Sequence, residues 1–167
     1  MFSVLFFISF EVTFAQSEIY AVTAVDKKET SHNLTKVNWE LRGQFNYFYF
    51  RCLQGDSEFD LEFSKILTVN FIGSKKKING DYYRPADIRL TSGSEKTIYL
   101  TSEGVLEGIS QSFGSKKEIE ITDIKSINFH HDGTFQKCPL CNTVFYNKNI
   151  NNCPFDGKKL EAISNNK

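Results

Sequence analysis

The chain of 167 residues is short of several things, and each absence closes off a class of protein. Charge of one sign is the first: 20 Lys and Arg offset 20 Asp and Glu, so no strong field favours nucleic acid or an anionic membrane. Long apolar runs are the second, since nothing after the first fifteen residues approaches the roughly 20 residues that a spanning helix needs. Helical periodicity is the third; against sustained period-two alternation, helix signals are almost absent. Nucleophile motifs are the fourth, with no Gly-x-Ser-x-Gly elbow and no Cys opening a helix. Twenty acidic residues always offer carboxylate pairs, and nothing in the sequence singles one out. Disorder is excluded as well, because 40% of the residues are hydrophobic and 14% aromatic.

What is present begins with period-two alternation of aromatic and β-branched residues between Gly, Ser, Asn and Asp turns. It predicts an all-β protein with strands at 19–25, 36–41, 45–53, 59–63, 67–71, 87–91, 97–101, 105–110, 118–122 and 126–129. Two stretches match: Leu61 to Phe71 (LEFSKILTVNF) and Ile119 to Phe129 (IEITDIKSINF) share four identical positions, and most others keep their class. Each is preceded by a strand running into a Gly turn, Phe50 to Gly55 and Ile109 to Gly114. A duplicated unit of about five short strands follows, of the kind that closes into an SH3-like or Sm-like small barrel. The expected layout is a first barrel or partial barrel over 17–72, a second over 81–130, and a Lys-, Gly- and Asn-rich separator over 73–85 ending at Pro85. Units of about 50 residues are near the lower limit for an independent core, so the two should pack together. An incomplete barrel could also finish its sheet across a homodimer.

The tail, 134–163, carries the sharpest local signal. Cys138 and Cys141 stand two residues apart, and after eleven more residues Cys153 and Asp156 repeat the spacing. Zinc prefers four ligands in a tetrahedron, each such pair can grip one side of it, and a carboxylate oxygen is an acceptable fourth donor. Pro139 and Pro154 follow the first Cys of each pair, where a preset φ and a missing donor suit a tight turn, and Gly157 permits a left-handed one. The segment resembles the small bacterial zinc ribbons that read Cys-Pro-x-Cys, a hairpin, then Cys-Pro-x-Asp-Gly-x-x-Leu; here the ending is Cys153-Pro154-Phe155-Asp156-Gly157-Lys158-Lys159-Leu160. The resemblance covers about residues 136 to 161 and implies a structural Zn2+ held by Cys138, Cys141, Cys153 and Asp156. Two alternatives stay open: His130 or His131 as the fourth ligand, and disulfides in place of metal. Cys52 stands alone and reads as a small buried hydrophobe.

Residues 1–15 (MFSVLFFISFEVTFA) are apolar from Phe2 to Phe10 with small side chains at Thr13 and Ala15, which resembles a signal peptide cut after Ala15. No Lys or Arg precedes the apolar stretch, Glu11 interrupts it, and Phe10 to Phe14 also alternates as a strand would. No lipid-anchor Cys lies near this start.

The densest aromatic segment, Phe45 to Phe50, reads first as a strand buried on both faces and second as a stacking platform for bases or sugars. His130-His131-Asp132-Gly133 reads as a turn. Asn33-Leu34-Thr35 matters only in a glycosylating pathway. The sequence thus leads to a non-enzymatic, periplasmic or secreted β protein with a structural zinc ribbon and an unidentified protein partner. The alternative is an intracellular nucleic-acid adaptor built from Sm-like barrels and a ribbon.

Overall fold

The computed structural model describes residues 20–41, 46–131, 135–146 and 150–163. The expected leader at 1–15 lies outside them, as do Phe45, Asp132 and Gly133. Among the described residues no helix is long and apolar enough to cross a membrane.

The alternating segments form strands β1 (Ala21–Asp26), β2 (Ser31–Glu40), β3 (Asn46–Tyr47), β4 (Tyr49–Gln54), β5 (Ser57–Glu62), β6 (Ile66–Phe71), β7 (Lys76–Ile78), β8 (Asp81–Leu90), β9 (Glu95–Thr101), β10 (Val105–Ser110), β11 (Lys116–Glu120) and β12 (Ile124–His130). All twelve belong to one open antiparallel sheet, ordered β11-β10-β2-β1-β12-β6-β8-β9-β4-β5, with β3 beside β2 and β7 beside β8. The expected closed barrels do not form. Strands from the early part of the chain find partners in the late part instead: β1 pairs with β12, β2 with β10, and β4 with β9. A continuous core lines one side, running from Val22, Val37 and Trp39 through Phe50, Phe63 and Val69 to Leu106, Ile127 and Phe129.

The two matching stretches take the same local form. Each passes through one turn of 3-10 helix, Phe63–Lys65 and Ile121–Asp123, whose first residue is fully buried. The strands that follow, β6 and β12, lie side by side with Val69 opposite Ile127. Those are corresponding positions in the alignment, and outward from this pair the strand order runs hairpin, then β4-β5 on one side and β10-β11 on the other. Even the leftover carbonyls are treated alike: Ile124 O accepts from Arg84 Nη1 at 2.6 Å, and the corresponding Ile66 O accepts from His131 Nε2 at 2.5 Å.

Arg84 is a buried cation that makes no salt bridge among the described residues. Its guanidinium donates to Ile121 O (3.3 Å), Ile124 O and, through Nε, Gly73 O (3.2 Å), and it lies 4.5 Å from the centroid of the Phe71 ring. Burial lowers its pKa while the field of Asp123 opposes that shift. Charged donors to carbonyls contribute more than neutral ones, and losing them orphans buried acceptors. Arg84→Met is therefore expected to destabilise the fold by about 3 kcal/mol. Urea denaturation checks it, and an unchanged midpoint would contradict the role given to this side chain.

Two local expectations are corrected. The 73–85 segment is no separator: it supplies β7 and the first half of β8, and Pro85 sits within β8 opposite Tyr99. Proline is tolerated there because its amide side faces Ile72, just past the end of β6, where only its carbonyl is used, accepting from Ile72 N at 2.9 Å. Nor is 45–53 one strand buried on both faces. A bend at Phe48 splits it into β3 and β4, leaving Phe48 38% exposed while Phe50 is fully buried. Cys52 is buried as expected, and burial pushes its thiol up to about 12.

Candidate metal centre

Downstream of β12 a second, three-stranded antiparallel sheet is built from β13 (Phe135–Lys137), β14 (Val144–Tyr146) and β15 (Glu161–Ile163), ordered β14-β13-β15. Two knuckles rise from it. In the first, Cys138 N donates to Thr143 O (3.0 Å) and Asn142 N returns to Cys138 O (3.0 Å). In the second, Cys153 N donates to Lys158 O (2.7 Å) and Gly157 N returns to Cys153 O (2.8 Å). The pattern is the same at the same offsets. In both, the residue four after the Cys has a left-handed backbone, Asn142 at φ 59° and Gly157 at φ 72°, types that tolerate this region best. Pro139 and Pro154 occupy positions whose amide the turn does not use.

Identical turns put the first and fourth residue of each knuckle on the same side. The result is that one donor atom each from Cys138, Cys141, Cys153 and Asp156 all lie within 4.8 Å of one another. Cys141 Sγ is 3.6 Å from Cys153 Sγ, and Cys138 Sγ is 3.2 and 3.5 Å from the two Asp156 oxygens. With Zn–S near 2.3 Å and Zn–O near 2.0 Å, a tetrahedron has S–S edges of about 3.8 Å and S–O edges of about 3.5 Å. The donor set fits such an ion. Beneath it Phe145, Leu160 and Ile150 pack against Cys138 and Cys153 and exclude water from one side.

The electrostatics agree with that fit. The backbone N–H of Lys158, 2.9 Å from Asp156 Oδ1, is the main cause holding this carboxyl below the usual carboxylate range, so it is ionised. Burial pushes the Cys138 thiol up to about 11, and a thiolate there needs a cation. Thr143, whose Oγ1 lies 3.2 Å from Cys141 Sγ, is the main cause lowering the Cys141 pKa.

All four cysteines are free, and 3.6 Å is far beyond a covalent S–S bond of about 2.05 Å. The histidines are elsewhere: His130 Nε2 meets Thr23 Oγ1 at 2.9 Å and its ring stacks on Tyr146, while His131 is the Ile66 cap. Of the candidate fourth ligands, only Asp156 joins the cluster.

Sequence reasoning missed how this tail is seated. Thr35 Oγ1 donates to Val144 O at 2.8 Å, and Ala21 packs with Phe135 and Val144. The Phe155 ring lies so close to Gly114, in the β10–β11 turn, that a Cβ there would sit 2.8 Å from it. These pairings join residues about 40 to 120 apart and leave no local signal. The Asn33-Leu34-Thr35 sequon lies inside β2, with Leu34 and Thr35 buried.

A second acidic group, Glu40, Glu107 and Glu118, also converges from three strands. Lys116 Nζ lies 2.8 Å from Glu107 and 2.9 Å from Glu118, and the nearby Glu107 carboxylate is the main cause raising the Glu40 pKa. A lysine-bridged charge cluster on an exposed face accounts for it. Compared with models of protein families, with curated proteins and with solved structures, the chain gives no match.

Proposed function

We propose that this chain is a non-catalytic, exported interaction protein whose tail is closed by one structural Zn2+ on Cys138, Cys141, Cys153 and Asp156. The observation carrying the metal reading is the pair of equivalent knuckles, because a turn that only reverses the chain has no reason to repeat its hydrogen bonds around converging donors. A set of four protein ligands fills the tetrahedron and leaves no position for substrate, which favours structure over catalysis. Support for an interaction role comes from the apolar side chains near this end of the molecule: Leu140 in one knuckle, Phe155 in the other, and Phe113 beside Gly114 are 61%, 44% and 80% exposed. Such residues mark contact surfaces when they cluster. A protein partner or a second copy of the chain fits them. The export reading rests on the 1–15 leader, and a mature protein beginning at Gln16 on N-terminal sequencing supports it.

The metal reading is tested by ligand exchange. Purified protein should carry one zinc per chain. Asp156→Ala should weaken binding by about a hundredfold or more, whereas Asp156→Cys retains it. Equal affinity in all three proteins would remove Asp156 from the ligand set.

One observation favours the nucleic-acid reading. Lys75 and Lys77 lie over the Tyr82 ring, 5.0 and 5.9 Å from its centroid, and Lys76 lies 6.0 Å from that of Tyr99. Basic side chains beside the exposed Tyr82 ring and the half-buried Tyr99 ring suit single strands. Fluorescence anisotropy with a labelled oligonucleotide at low and physiological salt separates the readings; the proposal here expects no salt-dependent binding.

A further inference from the structure

Three sulfurs share the metal centre, but they are not equivalent. Cys138 is fully buried and Cys153 is 2% exposed, whereas Cys141 is exposed to solvent. Cys138 Sγ is also occupied on two sides, by Asp156 oxygens at 3.2 and 3.5 Å and by Cys141 N at 3.4 Å. Cys141 Sγ faces a different neighbour, Cys153 Sγ, at 3.6 Å. The reachable sulfur thus stands against a second thiolate carried by the other knuckle. Solvent access decides which zinc thiolate an oxidant meets first, and proximity decides which thiol then resolves it.

We propose that Cys141 is a peroxide-reactive site resolved by Cys153, so that the tail can be closed either by metal or by a 141–153 disulfide. This rests on the zinc reading above. The thiolate of Cys141 attacks one peroxide oxygen, the O–O bond breaks, and a sulfenic acid forms with release of hydroxide. Cys153 thiolate then attacks the Cys141 sulfur, the S–S bond forms and a second hydroxide leaves. Two thiolates are oxidised by two electrons, one hydrogen peroxide is reduced, and Zn2+ departs because Cys138 and Asp156 alone are two ligands. The new bond joins the same two knuckles that the metal joined. An exported chain would therefore keep its tail closed in an oxidising compartment.

The test is hydrogen peroxide added to the full chain, both zinc-loaded and reduced zinc-free, with zinc release followed by a chromogenic chelator and products by tandem mass spectrometry. Fragmentation is needed because Cys138 and Cys141 share a tryptic peptide. The expected result is release of one equivalent of zinc and a Cys141–Cys153 cross-link two hydrogens lighter, with buried Cys52 unmodified. In the zinc-loaded arm, oxygen addition at Cys141 without a cross-link, a bond to Cys138, or zinc retained with no modification would overturn the site. Protein that never binds zinc defeats the metal reading instead, while the zinc-free arm still reads the dithiol. Cys138→Ser should still form the cross-link, and Cys141→Ser should not.

Discussion

Stripping the metal with a strong chelator is expected to unfold residues 135–163 as a unit while the twelve-stranded sheet stays folded. The tail has little else to hold it. Its strands are three residues each, at the short end of the usual range, and its own apolar cluster is Cys138, Phe145, Cys153, Leu160 and Ile150. Two of those five are ligands, so the metal and this small core are one structure. Apparent binding free energies of about 10 kcal/mol or more are typical where a zinc site and its fold form together. Removing that much exceeds what Thr35–Val144, Phe155–Gly114 and the Ala21 contacts can replace. Amide exchange shows the split: protection at Val144 and Phe145 should vanish on chelation, while protection at Val69 and Ile127, in paired central strands, should persist. Loss of protection in both regions together would mean that the tail is an integral part of the large core.

Gly104→Ala is expected to cost about 4 kcal/mol. Gly104 precedes β10 at φ +88°, a conformation L side chains rarely adopt. A methyl there would collide with Glu40 O and come within 2.7 Å of Trp39 Nε1. Neither neighbour can move cheaply. Glu40 O belongs to β2, which pairs with β10, and Trp39 is 1% exposed with its Nε1 donating to Glu103 O at 3.0 Å. Displacing the indole disturbs its packing on Tyr47 and Phe50, with ring centroids at 5.6 and 6.3 Å. Tryptophan fluorescence is a direct reporter, because the chain has a single Trp. A native emission maximum and an unchanged denaturation midpoint would show that the turn can relax, contrary to this account.

The metal cluster was legible because its determinants are local: the Cys138–Cys141 and Cys153–Asp156 spacings, with Pro139, Pro154 and Gly157, describe turns that form within six residues. Strands were legible for the same reason, since alternation such as Ser126 to His130 records which side chains face the core, Ile127 and Phe129 being buried between polar neighbours. Partners were not. Nothing near Ala21 announces His130, and nothing near Cys52 announces Leu100, so a repeat of strand patterns suggested closed barrels where the chain forms one open sheet. Polar residues misled where a long-range contact offsets them. Arg84 and Pro85 looked like a break between units, yet buried carbonyls and the end of β6 make room for both.

The most direct measurement of the central claim is X-ray absorption at the zinc edge on purified protein, with metal content measured on the same sample. One zinc per chain is expected, with a first shell of three sulfurs at about 2.3 Å and one oxygen at about 2.0 Å and no imidazole scattering. A chain that holds no metal after purification and reconstitution under reducing conditions, or a shell containing histidine nitrogen in place of the Asp156 oxygen, would contradict it.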